Sequence, residues 1–382
     1  MSRLKIAAVL GTRPEAIKMA PVIKRLKAAP WADVHVLLTG QHDQLLHSAL
    51  NDLGVQGDLN LELMQPGQTL SGLTGRAFLA LEAPLRSLAP DLVLGQGDTT
   101  TVMAAAVTSY YLKIPFGHVE AGLRTGDVQS PFPEEFNRVV AGKLARLHFA
   151  PTTAAVDALR AEGVKAETIF LTGNTVIDAL ADALPLAPID KFRPTPGRRL
   201  VLLTTHRREN FGAPLKRVLA QLRDVIQSRP DLELLFPAHP NPAVQDAASE
   251  VFSGCDRVRV IAPLGYLDFV AAMLAAHVIV TDSGGVQEEA PFLRKPVLVT
   301  RTETERPDAV KCGVARLVDP AADSLATELR TLLDDPAAYR GMTRGVSPYG
   351  DGRAAERIVH AISHVFGQGE REPPAPFLAA EV

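Results

Sequence analysis

The feature that most constrains the fold is the alternation of short apolar runs with longer amphipathic stretches. Runs such as Ile6–Leu10, Val34–Leu38 and Phe116–Val119 have the length of buried strands, and stretches such as Pro14–Lys27 and Leu70–Leu88 have the period of about 3.6 residues typical of helices. Strand, helix and strand in succession predict parallel strands joined by right-handed crossovers. The predicted fold class is therefore α/β, with doubly wound sheets.

The alternation stops once, near the middle of the 382-residue chain. Residues 186–199 contain three prolines and little periodicity, and strand-like runs begin again with Leu200–Leu203. We therefore predict two Rossmann-like doubly wound domains. The expected segments are an N-terminal domain over 1–185, a linker over 186–199, a C-terminal domain over 200–350, a last helix over 351–366 and a disordered tail over 367–382. Because ligands bind at the carboxyl ends of strands in such sheets, the cleft between the domains is the expected site.

Charge and cysteine content exclude several function classes. The 40 basic and 43 acidic residues give a net charge of −3, which argues against a duplex nucleic-acid binder. Cys255 and Cys312 lie outside any C-x-x-C pattern, so no zinc or redox motif is expected, and a reduced cytoplasmic location fits. No apolar run approaches the length of a membrane span, and the histidines lack metal-ligand spacing, so neither a membrane nor a metal site is expected.

The first candidate site follows the first predicted strand. Gly11-Thr12-Arg13-Pro14 places Arg13 at a helix N-terminus, where an anion is favoured, and Lys18 lies about one turn further along. The alternative is an ordinary strand-to-helix turn with two surface cations.

Three acids form the second candidate group. Asp98 follows a Gly-hinged strand end and is either catalytic or a helix cap, with Thr99 or Thr100 the better cap. Glu120 ends an apolar strand, where an unpaired charge is costly, which favours a functional role. Glu134 and Arg138 are four residues apart, so they are either site residues or a plain helical ion pair.

The second half carries basic and glycine-rich segments at strand ends. His206 and Arg207 open the segment after its first strand and suit a diphosphate. Further candidates are Ser283, Gly284 and Gly285 for a phosphate at a helix start, Glu289 for vicinal hydroxyls, Arg306 for closing the pocket, and Phe269 for either a base ring or the core. No nicotinamide fingerprint is present, so side chains rather than a cofactor are expected to do the chemistry.

The ordered motifs resemble those of non-hydrolysing UDP-N-acetylglucosamine 2-epimerases. The matching segments are GTRPEAIKMAPV from Gly11, GDTTT from Gly97, GHVEAGLRTGD from Gly117, SPFPEEFNR from Ser130, HRRENFG from His206, TDSGGVQEEAP from Thr281 and TERP from Thr304. The resemblance implies a glycosyltransferase-B type fold with an inter-domain active-site cleft and a final helix that crosses back to the first domain. It also implies a homodimer that supplies a surface-polysaccharide pathway.

The resemblance implies a role for each candidate residue. Asp98, Glu120 and Glu134 would be the acid/base set, His206 would stabilise the leaving group, and Lys18 and Arg138 would contact the sugar or tune the acids. UDP would be held by Arg13, Ser283, Gly284, Glu289 and Arg306. The implied reaction removes the C2 proton as UDP leaves C1, and UDP then adds back to give UDP-N-acetylmannosamine.

Some alternatives stay open on the sequence alone. Gln41, His42 and Gln44 resemble part of an activator site for a second UDP-sugar in bacterial relatives, but residues 64–69 lack the arginine that regulated relatives carry. The rival functions are a hydrolysing epimerase, an epimerase of a modified UDP-sugar such as a diacetamido uronate, a glycosyltransferase, and a nucleotide-sugar-binding regulator without catalysis.

Overall fold

The computed structural model divides the chain into two compact units. It describes residues 3–40, 44–65, 67–205, 212–304, 306–343 and 347–378. One unit comprises the chain up to Asp182 together with Tyr349–Leu378, and the other comprises Ala183–Pro348. Each unit contains one parallel sheet with helices packed against it.

The first unit is built on a seven-stranded sheet, as far as the described residues show. Its strands are β1 (Leu4–Leu10), β2 (Ala32–Leu38), β3 (Leu59–Asn60), β4 (Leu92–Gln96), β5 (Phe116–Val119), β6 (Leu147–Ala150) and β7 (Ile169–Leu171), in the order β3-β2-β1-β4-β5-β6-β7. Its helices are α1 (Arg13–Ala28), α2 (Gln44–Asp52), α3 (Leu70–Leu88), α4 (Thr100–Tyr111), α5 (Glu134–Leu144), α6 (Thr153–Ala161) and α7 (Thr175–Ala183).

The second unit repeats this architecture with six strands in its described part. They are β8 (Arg199–Thr204), β9 (Leu232–Pro237), β10 (Val258–Ile261), β11 (Ala276–Thr281), β12 (Val297–Val299) and β13 (Ala315–Leu317), in the order β10-β9-β8-β11-β12-β13. Its helices are α8 (Ala213–Ser228), α9 (Pro242–Phe252), α10 (Tyr266–Ala275), α11 (Gly284–Phe292), α12 (Pro307–Lys311), α13 (Ser324–Asp334) and α14 (Pro336–Thr343). The chain then returns to the first unit, where α15 (Ala354–Val365) packs beside α1.

The predicted doubly wound α/β class is confirmed in both units. All sheet pairings are parallel, for example β1 with β2 and β4, and β8 with β9 and β11. Threonine caps begin three helices of the first unit, because the hydroxyls of Thr69, Thr99 and Thr152 accept from backbone N–H groups in the first turn. The prediction that a threonine caps the helix after Asp98 is confirmed at Thr99.

The predicted linker is part of the second unit instead of a separate connection. Residues 186–199 lie against this unit, with a 3₁₀ turn at Ile189–Phe192 that buries Phe192. Lys191 Nζ contacts Asp268 Oδ2 at 2.6 Å, and the Thr195 hydroxyl donates to Glu233 Oε2 at 2.8 Å. These turns and polar contacts hold the segment in place, although its sequence lacks helical periodicity.

The prediction of a disordered tail is wrong for residues 367–378. Phe377 is buried, its N–H donates to the Leu171 carbonyl at 2.8 Å, and the Arg357 guanidinium lies over its ring. Phe377, together with contacts of Arg357 and His360 with the carbonyls of Ala375 and Glu372, therefore orders a proline-rich segment that has no periodic pattern.

Smaller differences concern short elements and helix starts. The sequence pattern did not predict β3, α12 or α14, each of which has eight residues or fewer. Helix α11 begins at Gly284, so Gly284 and Gly285 form its first turn despite their poor helix propensity. Among the described residues, no helix combines the length and the apolar content required to cross a membrane.

Candidate active site

The loops at the switch point of the first sheet carry the candidate residues of that unit. The strand order reverses between β1 and β4, which is where open α/β sheets bind ligands. A β-carbon on Gly11, after β1, would lie 2.2 Å from the Thr101 hydroxyl, so the loop approaches too closely for any other residue. Gly97, after β4, has a φ of +82°, which glycine adopts without strain.

Glu120 lies immediately after β5 and is held by two nitrogen donors. Lys18 Nζ on α1 contacts its two carboxylate oxygens at 2.9 and 2.7 Å, and Gln96 Nε2 at the end of β4 donates to Oε2. Glu120 is buried and has a φ of +64°, a conformation that costs a non-glycine residue of order 1–3 kcal/mol. A strained, buried, ion-paired carboxylate is typical of a functional position.

Asp98 pairs with Arg138, which reaches it from α5. The Arg138 guanidinium also lies 3.2 Å from Glu135 Oε2, while Glu135 Oε1 accepts from the N–H groups of Thr125 and Gly126. The alternative of a helical ion pair between Glu134 and Arg138 is therefore wrong, because Glu135 is the helical partner. Arg138 therefore joins Asp98 to α5 through an ion pair.

Glu134 is the most open of the three predicted acids. It is the first residue of α5 and is half-buried, and within the described part of the chain its carboxylate makes no hydrogen bond or ion pair. The N-terminus of α5 favours its negative charge. The site of the first unit thus combines two anchored carboxylates with one that is open to a ligand.

Three buried side chains that sequence reasoning missed surround Asp98. The Glu15 carboxylate accepts from the Thr99 hydroxyl at 2.9 Å, His118 Nε2 lies 2.7 Å from the Gly97 carbonyl, and Asn137 Nδ2 donates to the Asp98 carbonyl at 2.9 Å. Burial raises the pKa of Glu15 to about 7 and lowers the pKa of His118 to about 4. The available signals were the Thr12-x-x-Glu15 capping pattern and a histidine inside an apolar strand.

The second sheet offers a helix N-terminus at its own switch point, between β8 and β11. Ser283 occupies the N-cap position of α11 without a side-chain cap bond, and Gly284 and Gly285 form the half-buried first turn. The hydroxyls of Thr204 and Thr281, at the ends of the two strands, contact each other at 2.6 Å. Backbone N–H groups in the first turn of a helix have no intrahelical acceptor and lie at its positive end, which suits a phosphate.

Carboxylates on α11 hold the other predicted residues of this unit. The buried Glu289 accepts from the Tyr266 hydroxyl at 3.0 Å, and Arg306 forms an ion pair with the buried Glu288. Phe269, in the first turn of α10, is half-buried and is absent from the buried core that the structure describes. Tyr266 and Glu288 were not assigned roles from the sequence, because neither stands out within its apolar or acidic surroundings.

Several predicted site residues lie beyond what the structure describes. His206 and Arg207 fall in 206–211, and Gln41 and His42 in 41–43; all lie outside the described residues. Gln44 begins α2, but its side chain is likewise outside the described part. Arg13 is the first residue of α1, one position before the predicted helix start at Pro14.

Each unit offers its own chemistry: the first suits acid/base chemistry, and the second suits an anion. The first unit supplies carboxylates with cations beside them, and the second supplies a helix N-terminus. Within the described residues, no group of three or more His, Cys, Asp or Glu side chains is arranged to hold a metal ion.

Comparison with known proteins places these features in one family. The family described as UDP-N-acetylglucosamine 2-epimerase matches residues 24–363. A Bacillus subtilis protein named UDP-N-acetylglucosamine 2-epimerase is 43% identical over 377 residues, covering 98% of both chains. A Ralstonia nicotianae protein named "Probable UDP-N-acetylglucosamine 2-epimerase" is 46% identical over 372 residues, covering 95% of this chain and 99% of its own.

Solved structures agree over nearly the whole length. The UDP-GlcNAc 2-epimerase from Neisseria meningitidis bound to UDP-GlcNAc has a TM-score of 0.88 at 39% identity, covering 94% of this chain and 99% of its own. The glycosyltransferase SnogD from Streptomyces nogalater, at 17% identity, covers 94% and 99% with a TM-score of 0.62, which shows the fold alone and agrees with the predicted glycosyltransferase-B type. The chain, with its acid-bearing first unit, belongs to the UDP-N-acetylglucosamine 2-epimerase family.

Proposed function

We propose that the chain interconverts UDP-N-acetylglucosamine and UDP-N-acetylmannosamine by eliminating UDP and adding it back. The observation that carries the proposal is the acid set of the first unit. Asp98 and Glu120 follow the neighbouring strands β4 and β5, each with a cation beside it, and Glu134 begins α5 with an open carboxylate. Epimerisation at one carbon requires proton donors and acceptors on both faces, and three acids can supply them.

In the elimination, a carboxylate removes the C2 proton while the C1–O bond to UDP breaks. The electron pair of the C2–H bond becomes the C1=C2 double bond of 2-acetamidoglucal, and the bonding pair of C1–O leaves with UDP. In the return step a UDP oxygen adds to C1, and a proton reaches C2 from the opposite face. The C2 proton is weakly acidic, so stabilisation of the departing UDP must supply much of the barrier reduction.

We assign binding of the UDP part to the second unit. The N–H groups of Gly284 and Gly285 and the dipole of α11 favour a diphosphate, and the buried carboxylate of Glu289 can accept from ribose hydroxyls. We also propose that Arg13 and Arg306 contribute positive charge, and that His206, which lies outside the described residues, stabilises the leaving group.

The direct test incubates the purified protein with UDP-N-acetylglucosamine in heavy water. We expect deuterium at C2, measured by NMR, and formation of UDP-N-acetylmannosamine until equilibrium is reached. Free N-acetylmannosamine as the main product would replace the proposal with the hydrolysing reaction. UDP-sugar binding without any C2 exchange would replace it with a binding protein.

The same assay tests the acid set one residue at a time. Asp98→Asn, Glu120→Gln and Glu134→Gln should each lower the exchange rate at least about a hundredfold, because each removes a proton carrier or its electrostatic partner. The control is Glu82→Gln, which alters an exposed helical acid paired with Arg86 and should leave the rate unchanged. An exchange rate equal to that of the wild type in any of the three acid variants would remove that residue from the proposed catalytic set.

A further inference from the structure

The segment Gly97–Thr99, which we call the acid loop, is held at each of its three residues by a different element. His118 on β5 contacts the Gly97 carbonyl, Asn137 on α5 donates to the Asp98 carbonyl, and Glu15 on α1 accepts from the Thr99 hydroxyl. The loop itself therefore has little freedom, although it begins with a glycine.

The three supporting side chains are buried, whereas the Asp98 side chain beside them is partly exposed. Glu15, His118 and Asn137 are 1%, 0% and 2% exposed, but the Asp98 side chain is 32% exposed. Hydrogen bonds in a low-dielectric interior are strong, and side chains packed this tightly keep one rotamer. Buried side chains therefore fix the loop that carries a partly exposed carboxylate.

The direction of the His118 contact is fixed by its protonation state. Burial lowers the pKa of His118 to about 4, so the ring is neutral near pH 7 and carries one N–H. Because a carbonyl can only accept, that proton is on Nε2, and His118 donates to Gly97. Nδ1 is buried with no hydrogen-bond partner in the described part of the chain, so the Gly97 contact is the ring's one polar function there.

We propose that Glu15, His118 and Asn137 are positioning residues that aim the Asp98 carboxylate at the substrate. This inference rests on the proposed epimerisation and extends it. The three residues contact the acid loop and not the Asp98 carboxylate, so they act through the loop backbone and the Thr99 hydroxyl. Misplacing a reacting group by about 1 Å costs up to about a hundredfold in rate, which sets the size of the expected effect.

The test replaces His118 in two ways and measures C2 exchange per folded molecule. His118→Leu removes the donor and should lower kcat about tenfold or more with KM nearly unchanged, since substrate binding groups are untouched. His118→Gln, whose Nε2 can reach the same carbonyl, should restore kcat to within about threefold of wild type. Asn137→Ala and Glu15→Ala should reproduce the fall in kcat, and they serve as second variants if His118→Leu fails to fold.

His148 provides a matched control in the neighbouring strand. It pairs with His118 across β5 and β6, is equally buried, and its Nε2 contacts a glycine carbonyl at 2.9 Å, but that carbonyl belongs to Gly142 on α5. His148→Leu should lower stability and leave kcat per folded molecule unchanged. The positioning role would be overturned if His148→Leu lost as much kcat as His118→Leu. It would also be overturned if His118→Leu or Asn137→Ala kept the wild-type kcat. Absence of exchange in the wild-type protein would instead reject the proposed function.

Discussion

At the scale of single residues, Glu15 makes a contribution to stability that depends on pH near neutrality. Its carboxylate is buried and accepts from the Gly11 N–H at 3.1 Å and from the Thr99 hydroxyl. Desolvation by burial raises its pKa from 4.5 to about 7, although these hydrogen bonds lower it. The folded chain therefore holds this proton more tightly than the unfolded chain.

The sign of the resulting pH dependence follows from linkage. The contribution of Glu15 to stability is complete below about pH 4.5 and is lost as the pH rises through about 7. Glu15→Gln cannot ionise, so wild type should lose free energy of unfolding relative to this variant between about pH 5 and about pH 8. Urea unfolding of both proteins at the two pH values measures the difference.

The control for this comparison is Glu356→Gln. Glu356 is also the third residue of a helix, but it pairs with Arg353 on the surface, which lowers its pKa. The difference in the free energy of unfolding between Glu356→Gln and wild type should therefore not change across the same pH interval. Parallel stability profiles for wild type and Glu15→Gln would contradict the raised pKa.

The sequence could predict some site residues and not others for a physical reason. Glu120 and Asp98 stand out because a charge at the end of an apolar strand needs compensation. Gln96, His118 and Asn137 are ordinary polar residues in sequence, and their roles arise only when β4, β5 and α5 come together. The partner of Arg138 was also ambiguous, since residues three and four apart both lie on one helix face.

At the scale of elements, α15 depends on a cap supplied by another helix. Arg353, at its N-cap position, makes no side-chain cap bond. Instead Asp178 on α7 accepts from the N–H groups of Ala354 and Ala355 at 3.0 and 2.9 Å. Both alanines are fully buried, so no water replaces this carboxylate.

Removal of that cap should destabilise the first unit. Asp178→Ala leaves two buried N–H groups unsatisfied, and we expect a loss of about 2–4 kcal/mol in the free energy of unfolding. Asp182→Ala on the same helix breaks a partly exposed pair with Lys24 and should cost less than about 1 kcal/mol. Urea unfolding compares the two variants, and equal losses would show that the cap does not anchor α15.

Long elements were predictable because periodicity and caps agree in them. The bounds of α3 and of β5 match the predicted ranges. The pattern failed where elements are too short to show a period, as in β3 and α12. Local propensity is overridden there by tertiary packing.

At the scale of the whole molecule, the candidate site residues are distributed over two sheets, and the strand order of the six-stranded sheet repeats that of the first six strands of the other. The acids lie in the first unit, and the helix N-terminus suited to a diphosphate lies in the second. The sequence predicted both units because each repeats the βαβ pattern. It could not predict that residues 186–199 and 367–378 are packed, because their order rests on non-periodic contacts, among them those of Phe192 and Phe377.

The central claim is that epimerisation proceeds through cleavage of the bond between C1 and the UDP oxygen. The most direct measurement uses UDP-N-acetylglucosamine with oxygen-18 in that bridging position, followed by phosphorus NMR during the approach to equilibrium. If UDP departs and returns, its β-phosphate rotates between the two steps and the label appears in non-bridging positions. Our account predicts this scrambling together with deuterium gain at C2. Deuterium gain with all of the oxygen-18 still in the bridge would contradict it.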